Sequence, residues 1–231
     1  MNTSTRTIRT TSALGLVLAA IMSVAWTVLA PPFPDGYAAR LVAIDEGGTS
    51  ALVSAALFAA SQLPMLVAVL AIGRLAASRA PRLARAGVVL AVLGAFGHAV
   101  FGGVSLATVV MARDAANRDV HAAVLEAVEG EPAIMLFAAA GLLGTVLGLL
   151  VLAIALWRSR AVARWIPALL GVFLVVEFVG SNLSDFAPYA SGVCLLVAFG
   201  ALAVAVQRAD EPGHPVDRAE PSPSVTTGVP R

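Results

Sequence analysis

A chain of 231 residues that is 59% hydrophobic and only 13% charged sits far below the roughly 25% charge of soluble domains, which excludes a water-soluble globule and requires lipid as solvent. Net charge is +1, so there is no bulk electrostatic case for nucleic acid, and a lone cysteine, Cys194, excludes a disulfide framework or cysteine metal site within one chain. All fifteen cationic residues are arginine, which with the abundance of alanine marks a GC-rich coding sequence and not a function.

A helix that crosses a bilayer needs about 20 predominantly apolar residues. The first candidate runs from Ala13 to Ala30. Arg6 and Arg9 before it and Val28-Leu29-Ala30 at its end imitate a secretory signal, but Pro31 disfavours cleavage, and the segment is expected to remain as a span. After a Pro-rich turn and Asp35-Gly36, the residues Tyr37, Leu41 and Ile44 recur at helical spacing and predict a short helix on the outer leaflet. Ser50 to Gly73 is the second span, with Pro64 expected to free a carbonyl one turn earlier and to kink the helix.

Ala86 to Met111 is the third span, and Gly87, Ala91, Ala95, Ala99, Gly103 and Ala107 form a stripe every four residues that reads as a packing face. Beside it His98 has Gly94 and Gly102 one turn to either side, which lets another backbone or side chain approach the imidazole. A second outer helix is predicted from Val120, Val124 and Val128, opposite Asp119, Glu126 and Glu129. Ala133 to Trp157, with Gly144 and Gly148, Trp165 to Asn182, and Tyr189 to Val206 complete six spans. The domain reading is thus one membrane domain over 1–207, followed by a proline-rich tail over 208–231 that cannot bury apolar surface and is expected to be disordered. The fold class expected is all-α, a six-transmembrane-helix bundle with short amphipathic outer-loop helices.

The loops alternate in charge. One set holds eleven arginines up to Arg218, with Arg231 beyond them at the end of the tail, and the other holds three, Arg40, Arg113 and Arg118, so the excess of arginine on the cytoplasmic side is expected to place both termini in the cytoplasm of a cell (inner) membrane. Leu70-Ala71-Ile72 recurs as Leu152-Ala153-Ile154, and the same offset carries Arg82 onto Arg164, a weak parallel repeat of two hairpins.

An ionisable residue deep in a span costs about 2.5 to 3.5 kcal/mol on insertion scales and normally faces the bundle interior. Glu177 is such a residue. His98 lies 13 residues from Arg85, Glu177 13 from Arg164, Thr145 13 from Arg158 and Gln62 12 from Arg74, so all four stand roughly 18 to 20 Å above the inner arginines. They are expected to form one buried, hydrogen-bonded layer, with Ser181, Asn182 and Asp185 at the outer end of the fifth span as a candidate entrance. Haem would want two axial ligands, and His98 has no second intramembrane histidine beside it, only a Met such as Met65. Asp114, Asn117 and His121 share a loop face that reads as solvated. No Walker loop, dinucleotide fingerprint, HExxH, nucleophile elbow or CxxC is present. No catalytic residue, cofactor or metal is expected.

The outer segment DGYAARLVAI, the inner turn RAPRLARAG leading into GAFGHAVFGG, and LWRSRAVARWIPALL leading into VVEFVGS resemble a bacterial domain-of-unknown-function family of small six-helix integral membrane proteins, over residues 10–207. That resemblance implies six spans and brings no catalytic residue or substrate. The expectation is a non-enzymatic structural or accessory membrane protein; the alternative is a small-solute or proton-coupled transporter, or a membrane sensor, using the Glu/His/Gln cluster. The bilayer is the expected partner, nucleic acid is not, and a homo-oligomer or membrane-protein partner is left open.

Overall fold

The computed structural model describes the backbone of residues 3–208; the proline-rich tail beyond them lies outside the described residues. Among these residues there is no strand, and seven helices follow one another: α1 (Thr3–Leu29), α2 (Tyr37–Ala77), α3 (Pro81–Ala112), α4 (Arg118–Gly130), α5 (Pro132–Ser159), α6 (Trp165–Phe178) and α7 (Ala187–Arg208). All but α4 are long and apolar enough to cross a bilayer, α6 when taken with the 3₁₀ turn Gly180–Asn182 that extends it. The protein is a multi-pass, all-α membrane protein. In lipid the backbone has no water to bond to, so each apolar run closes its own ladder as a helix. Prolines sit where the ladder has no need of an N–H: Pro81 and Pro132 open α3 and α5 in their first turns.

One end of the bundle carries the turns Arg74 to Arg85 and Arg158 to Arg164, and is called here the arginine-rich end; α4 sits at the far end. The break in α2 is not at Pro64, through which the backbone stays helical, but at Gly48 (φ 52, ψ −119). That conformation excludes a Cβ, and it lets residues 37–47 leave the axis of the span below them.

Because lipid tails are as apolar as leucine, helices here associate through close contact of small residues. The most extensive contact joins α3 to α5, and it is glycine on glycine. A Cβ added at Gly97 would stand 2.4 Å from the backbone of Gly141 and Phe137, one at Gly144 would stand 2.6 Å from Gly94 N, and one at Gly148 would stand 2.4 Å from Ala91 N. The four-residue stripe therefore holds only in part. Gly87, Ala91 and Ala95 are buried, but Ala99, Gly103 and Ala107 are exposed. Four residues overshoot a 3.6-residue turn by about 40°, so the contact face walks off the stripe onto Gly94, Gly97 and Gly102.

The arginine-rich half is filled by a dry core in which Leu16, Ile72, Leu152, Leu156, Leu170, Phe199 and Leu202 have no exposed surface. Arg9 donates to the Gln207 carbonyl and Arg79 to the Ser159 carbonyl, each at 3.4 Å, fastening chain ends and turns there. The two proposed repeat hairpins are not equivalent within this core: Leu70 is exposed where Leu152 is buried, and Ile72 is buried where Ile154 is exposed.

At the far end Leu41, Ile44, Ala51, Ala55, Val109, Ala112 and Leu125 make a second, smaller core, with Leu41 and Ile44 inward as their spacing predicts. In α4 the expected apolar face is reversed. Val120 and Val124 are exposed while Leu125 is buried, because the inward face also carries the ion pairs Arg118–Asp45 (3.0 Å) and Arg40–Glu129 (2.9 Å) that tie α4 to α2. Glu129, assigned from sequence to the solvated side, points to Arg40.

Replacing Gly97 with Val should cost about 1 to 3 kcal/mol of overpacking and lower the midpoint of thermal unfolding in detergent by several degrees. Gly103→Val, where nothing lies within 4 Å, should leave that midpoint unchanged. Equal effects of the two would contradict the α3–α5 contact.

Candidate functional site

Where the dry core ends, the six spans part around a cavity of about 100 Å³. Every span lines it: Ser23, Trp26 and Thr27 of α1; Phe58, Ser61, Gln62 and Met65 of α2; His98 of α3; Thr145 of α5; Phe173, Glu177 and Phe178 of α6; and Ser191 of α7. At about 30 Å³ per water, the space suits about three waters or a solute of a few heavy atoms. A macrocycle does not fit it.

His98, Glu177, Gln62 and Thr145 thus share one cavity, but they do not form one hydrogen-bonded layer. Three separate pairings surround the space. Thr145 Oγ1 and His98 Nδ1 are 3.4 Å apart, the one polar link between α3 and α5. Gln62 Nε2 donates to the Phe58 carbonyl (3.0 Å) and to Ser61 Oγ (3.2 Å), both on its own helix. The Glu177 carboxylate is met by the Ser191 hydroxyl, which also reaches the Pro188 carbonyl at 2.8 Å. Depth counting placed the four at one level, whereas pairing depends on rotation about each helix axis, which depth does not carry.

The glycines beside His98 act as their positions suggest. A Cβ at Gly94 would collide with Thr145 N at 2.4 Å, and one at Gly102 with Ala59 of α2 at 2.9 Å, while one at Gly141 of α5 would stand 2.8 Å from His98 Cδ2. Neighbouring backbones therefore hold the imidazole closely on two sides. Its ring also lies against Phe58, centroids 5.6 Å apart.

Ser191 Oγ has one proton and two acceptors within reach.

A second cavity of about 120 Å³ lies toward the far end, lined among others by Phe33, Phe101, Val104 and Thr108, with Arg40 and Glu129 at its α4 side. Trp26 and Phe58 line both cavities. Their rings, 4.9 Å between centroids, form the partition between this vestibule and the polar chamber, and Ser54 Oγ donates to the Trp26 carbonyl (3.1 Å) to fix α1 against α2 there.

The expected entrance is not where the sequence put it. Ser181, Asn182 and Asp185 are exposed and none lines the chamber. Ser181 Oγ bonds to the Glu177 carbonyl and Asn182 Nδ2 to the Phe178 carbonyl at 3.1 Å, so both satisfy the open carbonyls at the end of α6. The loop trio does come together: Asn117 Nδ2 (2.9 Å) and His121 Nε2 (3.1 Å) both meet Asp114 Oδ2, at the start of α4. Among the described residues no group of three His, Cys, Asp or Glu is placed to hold a metal.

Sequence reasoning missed Ser23, Thr27, Ser61, Ser191 and the two partition rings. Ser23 stands 14 residues from Arg9, roughly 21 Å, the same level as the four, so the depth rule extended to hydroxyls would have found it. Trp26 and Phe58 carry no such signal among the many apolar residues. No protein-family model, curated protein or solved structure matches the chain.

Arg40→Ala should leave Glu129 unpaired and speed amide exchange across residues 118–130 by about fivefold, a local loosening of about 1 kcal/mol, with α3 and α5 unaffected. Hydrogen bonds from Asn117 and then His121 hold the Asp114 carboxyl below its ordinary value. Since the folded-state value is the lower one, the tie at the start of α4 is complete above the ordinary carboxylate range. It is lost only as pH falls through the depressed value, and protection of the amides of 117–121 against pH should follow that order.

Proposed function

We propose that the protein is a non-enzymatic solute-binding membrane protein, a small-solute transporter or sensor, and that the six-span chamber is its site. The observation that carries this reading is a mainly apolar cavity to which every span contributes, with the polar side chains of His98, Gln62, Thr145 and Glu177 all on its wall. Polar groups that served only to fasten the bundle would pair with one another and close the space between helices. Here all three pairings, His98 with Thr145, Gln62 with Ser61 and Glu177 with Ser191, leave side chains bordering a hollow.

A static pore is not part of the proposal, because the core on the arginine-rich side is fully buried below the chamber. Solute would arrive through the vestibule and past Trp26 and Phe58. The excess of arginine at one end supports a bacterial cytoplasmic membrane with both termini cytoplasmic, and the six-span architecture is compatible with the family the sequence resembles.

Hydration of the chamber tests this directly, because a thiol in water ionises and reacts while one in lipid does not. In a Cys194→Ser background, Thr27→Cys should react with a small methanethiosulfonate at least about tenfold faster than Val179→Cys on the lipid side. Equal rates would remove the solute-binding reading and leave the cluster a structural one. For orientation, a reporter fused near position 120 should be active only outside the cytoplasm; activity inside would reverse the topology.

A further inference from the structure

Resting on the solute-binding reading above, we propose that the chamber takes one small monovalent organic ammonium cation, seated between the Glu177 carboxylate and the rings of Trp26 and Phe58. Charge is the first argument. Glu177 is the acidic group on the chamber wall, no arginine lines it, and the ion pairs of the described residues do not include it. Its side-chain partner is the neutral Ser191 hydroxyl. A carboxylate within a span normally finds a partner, and a cationic occupant supplies a charged one. His98, the other ionisable group on the wall, has Thr145 as its polar partner through Nδ1 and makes no ion pair with Glu177.

The walls select among cations. Trp26, Phe58, Phe173 and Phe178 surround the space, and aromatic rings attract a poorly hydrated ammonium through their quadrupoles. A divalent metal ion would want more negative charge than one carboxylate to offset its own, and the wall offers one. Ammonium N–H groups also need acceptors. Gln62 spends its amide N–H₂ on the Phe58 carbonyl and Ser61, so its Oε1 is left as an acceptor. Size sets the upper bound: about 100 Å³ admits a cation of about two to four heavy atoms in the space of about three waters.

Trp26 reports on its own chamber once Trp157 and Trp165, which lie outside it, are replaced by Phe. Methylammonium chloride added to this variant in detergent, against sodium chloride at matched ionic strength, should change Trp26 emission in a saturable way, and sodium should not. Half-saturation should rise at least about tenfold in Glu177→Gln, the loss of a charge partner, and about threefold to thirtyfold in Phe58→Leu, the worth of one cation–π contact. The proposal is overturned by no saturable change, by an equal response to sodium, or by a response that Glu177→Gln leaves as it was. If Glu177→Gln does not fold, Phe58→Leu decides in the same way. A chamber in which Thr27→Cys is labelled but methylammonium has no effect overturns the ligand and spares the solute-binding reading. An unlabelled Thr27→Cys overturns both.

Discussion

The approach of α3 to α5, backbone against backbone, is the constraint from which the rest of the bundle follows. Lipid provides no hydrophobic force between helices, so adhesion comes from dispersion at short range and from the few polar bonds that cross the gap. Gly94, Gly97, Gly141, Gly144 and Gly148 remove the side chains that would keep the two rods apart. Once these helices touch, the imidazole of His98 and the hydroxyl of Thr145 are set on the edge of the contact, and the remaining four spans must close around what this pair presents. The hollow is the space those spans do not fill, lined by a mixture of hydroxyl, aromatic and aliphatic side chains at that level.

Along the bundle axis the character of the interior changes twice. From the arginine-rich end it is mainly buried leucine, isoleucine and alanine; at mid-depth hydroxyls, an amide, an imidazole and a carboxylate join apolar side chains around a void; beyond the ring pair of Trp26 and Phe58 it is mainly apolar, with Ser54, Ser105 and Thr108 among the lining, up to the Arg40–Glu129 bridge. An ionisable group costs less in the middle zone, where Ser191 meets its carboxylate, than it would one helical turn deeper in the apolar core.

Much of this was legible in the residues. Hydropathy located the six spans because the physical demand on them, about 20 apolar residues in a row, is one-dimensional. Counting residues from the arginines found four of the wall residues, since depth is one-dimensional as well. What was lost is whatever depends on rotation about a helix axis. The regular stripe of α3 turned away from its partner after Ala95, and the valines of α4 turned outward while Leu125 turned in. The supposed repeat matched letters but buried opposite residues. Ser181, Asn182 and Asp185 looked like a mouth because they are polar and near Glu177 in sequence, yet α6 ends there, and its open carbonyls claim Ser181 and Asn182 first.

Gly48 sets the relation between the two ends of the molecule. The segment 37–47 and α4 are held by Leu41, Ile44, Leu125 and two ion pairs, none of which touches the chamber wall, and the joint at Gly48 uncouples their direction from that of the span carrying Phe58 and Gln62. The roof and the chamber are therefore separate inventions in one chain. Sequence drift can redesign the porch without disturbing the room behind it.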